Sequence, residues 1–275
     1  MLGAIIGDIV GSIYEFANIK TKDFPFFSGE KEYTDDSVLC IATADWLLHG
    51  GDVAEYYYRY ASKYKHPMGG YGTSFWVWVL TAQEGRGFIP YHSCGNGSAM
   101  RIAPVGWLDA KVPFFAEDQI MKKAKTSAEC THNHPEGIKG AQATALCIYL
   151  ARKGEPVKDI RNRISKEFGY DLSLSVDEIR PRYSWQGLDG KGNGGICQDS
   201  VPQAIICALE ARDFEDAIRN AVSIGGDSDT IGCITGGIAE GLFGIPEAIR
   251  EEGMTYLPKE LRLIVEEFET KYGCK

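Results

Sequence analysis

The sequence lacks three features that would place the protein in a membrane, on a secretory route or on nucleic acid. No uncharged apolar run reaches the ~18 residues of a membrane-spanning helix, and the N-terminal stretch has no basic leader and is interrupted by Asp8, unlike a signal peptide. No basic run occurs, and 38 Asp and Glu outnumber 29 Lys and Arg, so nucleic acid is not an expected partner. These absences predict a soluble cytoplasmic protein without a membrane partner.

The cysteines show neither pairing nor metal-ligand spacing. No CxxC pair is present, and most cysteines fall in apolar helical context. This pattern predicts reduced thiols rather than disulfides or a structural zinc site. The eight cysteines are Cys40, Cys94, Cys130, Cys147, Cys197, Cys207, Cys233 and Cys274.

Alternating strand patterns are scarce, and helical periodicity dominates the chain. The elements follow one another without linkers, low-complexity tracts or repeats, so we expect one compact all-α domain over residues 1–275. Residues 182–185 are the one candidate for a short strand. The predicted helices are 36–49, 52–64, 70–84, 114–129, 135–152, 157–168, 200–211, 213–223, 229–243 and 258–271.

Four irregular segments rich in glycine, aromatic and polar residues interrupt these helices. Loops carried on a rigid scaffold commonly hold a protein's binding site, so we expect the functional site among them. The segments are 18–35, 86–98, 130–134 and 184–198.

Two acidic clusters stand directly before apolar helical segments, at 34–36 and 227–230. One aspartate at such a position is explained by helix capping, but a second carboxylate beside it adds repulsion that calls for a counter-charge. Hard oxygen ligands favour Mg²⁺ or Mn²⁺ over zinc or copper. The clusters therefore predict two divalent ions, and the alternative is that both are only capped helix starts. The candidate metal ligands are Thr34, Asp35, Asp36, Asp227, Asp229 and Thr230.

The helix after the second cluster carries four glycines, Gly232, Gly236, Gly237 and Gly241. Each should weaken a helix by ~1 kcal/mol relative to alanine. Within the pairs Gly232/Gly236 and Gly237/Gly241 the spacing is i, i+4, which leaves a helix face without side chains on which another helix can pack closely. We therefore expect this helix near the centre of the bundle.

Five short motifs follow one another along nearly the whole chain. They are Gly7-Asp8-x-x-Gly11-x-x-x-Glu15, Thr34-Asp35-Asp36-Ser37, Gly95-Asn96-Gly97-Ser98-Ala99-Met100-Arg101, Thr131-His132 and Gly225-Gly226-Asp227-Ser228-Asp229-Thr230. Together and in this order they resemble the ADP-ribosylglycohydrolase family, which includes the dinitrogenase reductase-activating glycohydrolases. The resemblance implies a compact orthogonal all-α bundle with a dinuclear Mg²⁺ centre that removes ADP-ribose from a modified acceptor, such as a protein side chain or a small ADP-ribose derivative.

The resemblance also assigns roles to individual residues. It implies that the candidate metal ligands above hold the ions, that Glu15 is the family's catalytic or gating glutamate, and that Asp36 is catalytic. It further implies that the loop 95–100 holds the diphosphate and distal ribose. The expected substrate-binding residues are Ser93, Gly95, Asn96, Gly97, Ser98, Met100 and His132.

Glu15 suits the chemistry that this family performs. Cleavage at ribose C1 passes through an oxocarbenium-like state, and a carboxylate is needed as base for the attacking water or as acid for the leaving group. Glu15 lies seven residues after Asp8, about two helical turns, so we expect both carboxylates on one helix face. The apolar residues between them predict a buried helix, in which Asp8 is a hydrogen-bond anchor.

The loops leave the recognition of the adenine and of the acceptor open. His134 is expected to be a loop residue rather than a metal ligand, and the glycine-rich segment 186–197 departs from better-known family members. An aromatic platform for the adenine has four candidates, and the sequence does not choose among them. They are Phe88, Tyr91, Tyr183 and Trp185.

Two other functions fit part of the pattern. A helical prenyl-diphosphate enzyme also places two Asp-rich motifs around Mg²⁺, usually inside helices rather than at their starts. A non-catalytic ADP-ribose-binding or structural member of the same fold is the second alternative, although such a member would be expected to lose ligands that are present here. The acceptor stays open among arginine-, serine- and nucleic-acid-linked ADP-ribose, O-acetyl-ADP-ribose and other small derivatives.

Overall fold

The computed structural model describes residues 1–108 and 116–273. Cys274 and the first two residues of the predicted helix 114–129 lie outside these ranges. The helices are α1 (Leu2–Gly11), α2 (Asp35–His49), α3 (Val53–Lys63), α4 (Thr73–Gln83), α5 (Gly97–Met100), α6 (Ala103–Gly106), α7 (Ala116–Glu129), α8 (Pro135–Arg152), α9 (Val157–Phe168), α10 (Val176–Ile179), α11 (Cys197–Leu209), α12 (Phe214–Ile224), α13 (Ser228–Phe243), α14 (Glu247–Thr255) and α15 (Lys259–Tyr272).

The all-α prediction is confirmed, and each of the ten predicted helices has a counterpart within a few residues of the predicted bounds. Five helices were not among them. α1 is buried along its whole length, so its apolar residues leave no polar stripe to reveal a helical period. α5, α6 and α10 have four residues each, too few for a period, and α14 begins directly after Pro246, a residue that suggested only a helix end.

The centre of the bundle is the close packing of α1 against α13. The two helices run antiparallel, with Gly3 facing Gly236 and Gly7 facing Gly232. A Cβ added to Gly7 would lie 1.9 Å from the carbonyl oxygen of Gly232, so only glycine permits this approach. The expectation that the glycine-rich helix is central is confirmed.

Other helices surround this pair. α13 also packs against α8, α11 and α12, while α2 packs against α1, α3 and α15. The buried apolar residues form one cluster that extends from Met1 to Phe268. The first turns of α2 and α13 are thereby brought to the same side of α1, which positions the site described below.

Regular strand structure within the described residues is confined to one hairpin. Strand β1 (Tyr183–Ser184) pairs antiparallel with β2 (Gly187–Leu188), which confirms the short strand predicted at 182–185. The seven cysteines among the described residues are free thiols. No helix in the described part of the chain is long and apolar enough to cross a membrane.

Candidate metal centre and substrate cavity

The first acidic cluster is held at the start of α2 by Asp8 of α1. Thr34 caps α2, because its hydroxyl accepts a hydrogen bond from the Asp36 amide (3.1 Å). The same hydroxyl donates to Asp8 Oδ1 (2.7 Å), and Asp8 Oδ2 accepts from the amides of Thr34 (3.0 Å) and Ser37 (3.1 Å). Asp8 is therefore the hydrogen-bond anchor that we expected, and it fixes the first turn of α2 on α1.

The second acidic cluster follows a tight turn at Gly225 and Gly226, both of which have positive φ angles (71° and 76°). Asp227 occupies the N-cap position of α13, and its Oδ2 accepts a hydrogen bond from Asn96 Nδ2 at 2.7 Å. Asp229 lies in the first turn of α13 and is almost fully buried. The glycine loop of the middle motif thus touches the second cluster directly.

The two clusters converge, and Glu15 joins them. Carboxylate oxygens of Glu15, Asp227 and Asp229 lie within 4.8 Å of one another, close enough to share a cation. Asp36 faces the same group, since burial and then the charges of neighbouring carboxylates, Asp227 among them, raise the pKa of its carboxyl, against which the Thr230 hydroxyl forms a hydrogen bond. Residues from positions 15, 36 and 227–230 therefore form one acidic site.

The path of the chain to Glu15 differs from the prediction. α1 ends at Gly11, and a 3₁₀ turn (Ser12–Tyr14) follows before Glu15. The expectation of one continuous helix face from Asp8 to Glu15 is wrong. At this point the Lys31 ammonium donates a hydrogen bond to the Val10 carbonyl (3.0 Å), one of the last carbonyls of α1.

Burial and mutual repulsion both disfavour the charged form of these carboxyl groups. Burial raises the pKa of Asp35, Asp36 and Asp229 well above the usual carboxyl range, and neighbouring carboxylates raise it further. Burial, followed by the charges of Asp227 and Asp8, raises the pKa of Glu15 to about 7. A bound cation would relieve this penalty, because it favours the ionised carboxylates.

Unpaired oxygen atoms in the cluster also fit a divalent cation. Asp36 Oδ2 and Asp229 Oδ1 are buried and have no hydrogen-bond partner among the described residues. Buried carboxylate oxygens are normally paired, and oxygen ligands of this kind suit Mg²⁺ or Mn²⁺. The residues present therefore fit a site for divalent cations, as the sequence predicted.

The acidic site opens into a cavity of about 430 Å³, within the range of small-molecule sites. Most of the predicted substrate-binding residues line it: Ser93, Gly95, Asn96, Gly97, Met100 and His132. Ser98 does not, because it is fully buried and its hydroxyl donates to the Gly137 carbonyl (2.7 Å). Thr34 is not a lining residue either, since its hydroxyl is bound by Asp8 and the Asp36 amide.

His132 lies against the glycine loop. Its Nε2 would be 3.0 Å from a Cβ at Gly97, and its Nδ1 shares a hydrogen bond with the Thr131 hydroxyl (2.8 Å). Burial, with the nearby Arg101 cation, lowers the pKa of His132 well below its usual value, so this side chain is neutral. His134 instead caps α8, accepting a hydrogen bond from the Glu136 amide, so the structure gives it a capping role.

The comparison with known proteins agrees with this geometry. A family model described as ADP-ribosylglycohydrolase matches residues 1–272. The chain belongs to the ADP-ribosylglycohydrolase family.

Individual relatives of this family member support the same conclusion. The ADP-ribosylhydrolase ARH3 of Homo sapiens is 27% identical over 313 residues, covering 90% of this chain and 85% of that protein. The ADP-ribosylarginine hydrolase Tri1 of Pseudomonas putida (strain GB-1) is 24% identical over 276 residues, covering 89% and 70%. A solved structure titled "ADP-ribosylglycohydrolase-related protein complex" superposes with a TM-score of 0.67 at 22% identity, covering 96% of this chain and 94% of that chain, which shows the shared fold.

The fold of this ADP-ribosylglycohydrolase family member also reduces the number of aromatic residues that could stack on the adenine. Tyr91 and Trp185 line the cavity. Tyr183 is buried beneath Gly226 in the core, and Phe88 packs on Trp78 outside the cavity. Two of the four candidates therefore remain as platforms for a base.

Sequence reasoning missed several residues that line the cavity. Gly70 was placed at the start of a predicted helix 70–84, directly after Gly69, whereas α4 begins at Thr73 and both glycines have positive φ. Gly69 packs beside Glu15, whose Oε2 would lie 2.9 Å from a Cβ there. The Gly-Gly pair was the signal that could have identified this loop.

Phe16 and Arg101 are the other missed lining residues that the geometry makes prominent. Phe16 is exposed and stacks on Trp185 at 6.1 Å between ring centroids. Arg101 is fully buried, lies over the Tyr57 ring and donates to the Ser127 carbonyl and the Thr131 hydroxyl. It is the only Lys or Arg among the described residues that line the cavity.

Proposed function

We propose that the chain is a Mg²⁺-dependent hydrolase that cleaves the glycosidic bond at ribose C1 of ADP-ribosylated acceptors and releases ADP-ribose. The observation that carries this proposal is the meeting of the two aspartate clusters beside Glu15 in one cavity. Membership in the ADP-ribosylglycohydrolase family supports the reaction class. It also argues against the prenyl-diphosphate alternative.

The metal part of the proposal rests on the donor set. Asp35, Asp36, Asp227, Asp229 and Thr230 line the cavity and would hold two divalent ions. When bound, such ions would supply positive charge that holds the ribose hydroxyls and polarises the sugar oxygens. Mg²⁺ is favoured over softer metals because every donor is an oxygen.

Glu15 is the proposed proton carrier. Its carboxylate accepts a proton from the attacking water as the water oxygen bonds to C1 and the bond from C1 to the acceptor breaks, and the proton then passes to the acceptor atom. A carboxylate can serve first as the base for the water and then as the acid for the acceptor.

The remaining lining residues would bind the ADP-ribose moiety. Backbone atoms of Gly95 and Gly97 are accessible because neither residue has a side chain, and His132 beside them is neutral and can hydrogen-bond without adding charge. Tyr91 or Trp185 would support the base. The names of the relatives include both a general ADP-ribosylhydrolase and an ADP-ribosylarginine hydrolase, so they leave the acceptor open.

The test is turnover of a panel of defined ADP-ribosylated substrates, with and without Mg²⁺, followed by mass spectrometry. The panel contains arginine-, serine- and nucleic-acid-linked ADP-ribose and O-acetyl-ADP-ribose, with a prenyl diphosphate as the negative arm. Release of ADP-ribose that requires Mg²⁺ supports the proposal. Binding of ADP-ribose by calorimetry without turnover of any substrate would identify a non-catalytic binding protein instead.

A further inference from the structure

We propose that Asn18 is a positioning residue that locks the Glu15 segment onto the turn before Asp227, so that Glu15 and the second aspartate cluster serve one metal centre. The inference rests on the proposed metal-dependent function. It concerns a residue outside the cavity lining and outside every motif of the sequence. Asn18 acts through Glu15, whose segment it ties to the 225–227 turn.

The amide of Asn18 joins two parts of the chain that are 208 residues apart. Its Nδ2 donates to the carbonyl oxygens of Tyr14 (2.6 Å), Glu15 (3.0 Å) and Gly226 (2.9 Å). Its Oδ1 accepts from the amide of Gly226 (2.7 Å). A side-chain amide has both donors and an acceptor at one tip, and here both kinds of group are used.

The turn is shaped to receive this side chain. Gly225 has a positive φ, and a Cβ there would lie 3.1 Å from Asn18 Oδ1 and 3.0 Å from Lys20 Nζ. Gly226, which exchanges hydrogen bonds with Asn18 in both directions, directly precedes Asp227. Asn18 therefore contacts the residue directly before Asp227, a proposed metal ligand, and it also contacts the backbone of Glu15 itself.

A second contact holds the same carbonyl. Trp185 Nε1 donates to the Glu15 carbonyl oxygen at 2.8 Å, and Phe16 stacks on the Trp185 ring with an interplanar angle of 6°. Lys20 in turn donates to the carbonyl of Tyr183 in the adjoining hairpin. The segment after the 3₁₀ turn is thus fixed by side chains rather than by regular secondary structure.

Such fixing is needed because Glu15 faces carboxylates of the same charge. Oxygen atoms of Glu15, Asp227 and Asp229 lie within 4.8 Å of one another, and repulsion between them would drive the most mobile of the three outward. Asp227 and Asp229 are fixed in place because they belong to the N-terminal end of α13, whereas Glu15 follows only a short 3₁₀ turn. Asn18 opposes the outward movement of Glu15.

The experiment is a double-mutant cycle of Asn18→Ala and Glu15→Gln, read by Mn²⁺ affinity from electron paramagnetic resonance. If Asn18 acts through Glu15, Asn18→Ala weakens Mn²⁺ binding about tenfold in the wild-type background, a typical loss for a residue that orients a ligand. It then causes no further loss in the Glu15→Gln background. Equal losses in both backgrounds, or no loss in the first, would overturn the proposal.

A matched control separates positioning from general destabilisation. Asn220→Ala removes a buried amide that donates to the Cys207 carbonyl (3.2 Å) and accepts from Lys22 (2.8 Å), away from the cavity. It should lower the thermal midpoint without changing Mn²⁺ affinity. Turnover by the wild-type protein is measured separately, so an inactive wild type whose Mn²⁺ cycle is still non-additive would refute the proposed reaction and leave the role of Asn18 supported.

Discussion

Asn96 donates a hydrogen bond of 2.7 Å from Nδ2 to Oδ2 of Asp227, across 131 residues of sequence. The contact links the mid-chain glycine loop to the second aspartate cluster, so the loop that is proposed to bind the substrate also orients a proposed metal ligand. The proposed substrate and metal sites therefore share a residue. This relationship leads to the first prediction.

Asn96→Ala should lower kcat/KM by about 10- to 100-fold, the usual cost of removing a group that orients a metal ligand. Mg²⁺ affinity should fall with it, because Asp227 loses its fixed direction. Steady-state kinetics against Mg²⁺ concentration measures both. Asn133→Ala is the control, since Asn133 is an exposed loop amide that accepts from the His92 amide, and an equal effect in both variants would contradict the prediction.

Asp36→Ala or Asp229→Ala should abolish turnover and weaken Mg²⁺ binding, because each removes a buried carboxylate with an unpaired oxygen. Calorimetric titration with Mg²⁺, after treatment with EDTA, is the measurement. Asp52→Ala removes an aspartate that only caps α3 and should cost about 1 kcal/mol of stability with an unchanged Mg²⁺ response. Wild-type Mg²⁺ binding in both cluster variants would restore the simple capping explanation.

Glu15→Gln should fold normally and lose more than about 90% of the rate, a barrier increase above roughly 1.4 kcal/mol. The amide keeps the size of the side chain but cannot accept a proton from water. Circular dichroism checks the fold, and single-turnover kinetics measures the chemical step. A variant that keeps more than a tenth of the rate removes Glu15 from the mechanism.

The stabilising effect of Mg²⁺ should increase with pH. In the metal-free protein, burial raises the pKa of Asp8 from 3.8 to about 6 and that of Glu15 from 4.5 to about 7. The folded state therefore binds more protons than the unfolded state between about pH 4 and 7, and the free energy of unfolding falls as pH rises through this window. Mg²⁺ replaces those protons, so its stabilisation is greatest above the window.

Thermal unfolding at pH 5 and pH 8, with and without Mg²⁺, tests this linkage. The increase in Tm on adding Mg²⁺ should be larger at pH 8. The Asp229→Ala variant should show a smaller increase at both pH values. An Mg²⁺ effect that is equal at the two pH values in the wild type would show that the carboxyl cluster does not take up the ion.

Gly7→Ala should destabilise the fold by at least about 1–3 kcal/mol, the cost of overpacking a core. The added methyl would lie 1.9 Å from the Gly232 carbonyl oxygen, so α1 and α13 must separate. The midpoint of urea unfolding measures the change. Gly29→Ala meets no atom within 4 Å and should change stability by less than about 0.5 kcal/mol, and similar effects of the two changes would disprove the close contact.

The predictability of individual elements followed the strength of their local signals. α8 has the bounds that were predicted, 135–152; in the structure Pro135 begins it and the His134 side chain caps it. The start of α4 was set three residues too early, since Gly69 and Gly70 adopt positive φ to bring the loop against Glu15. α1 was not predicted, because a helix that is buried on all its faces lacks the periodic polar stripe of a surface helix.

The site was predicted in its residue types but not in its contacts. The Thr34 cluster and the Asp227 cluster each contain two closely spaced aspartates, a pattern that is visible in the sequence, and both begin helices as expected. The contacts of Asn18 and Arg101 could not be predicted, because their partners lie far away in sequence. Ser98 belonged to the right motif, yet packing turns its hydroxyl to the Gly137 carbonyl.

The sequence by itself determined what depends on neighbours along the chain: the helical class, the capped starts of α2 and α13, and the glycine face that allows α13 to be central. Tertiary structure alone decided that Glu15, Asp36 and Asp229 face one another. These residues meet only because α1 and α13 pack as closely as facing glycines permit. That contact joins residues more than two hundred positions apart. Local propensity holds no information about such a distance, because the distance between two helices depends on which apolar surfaces are buried against each other.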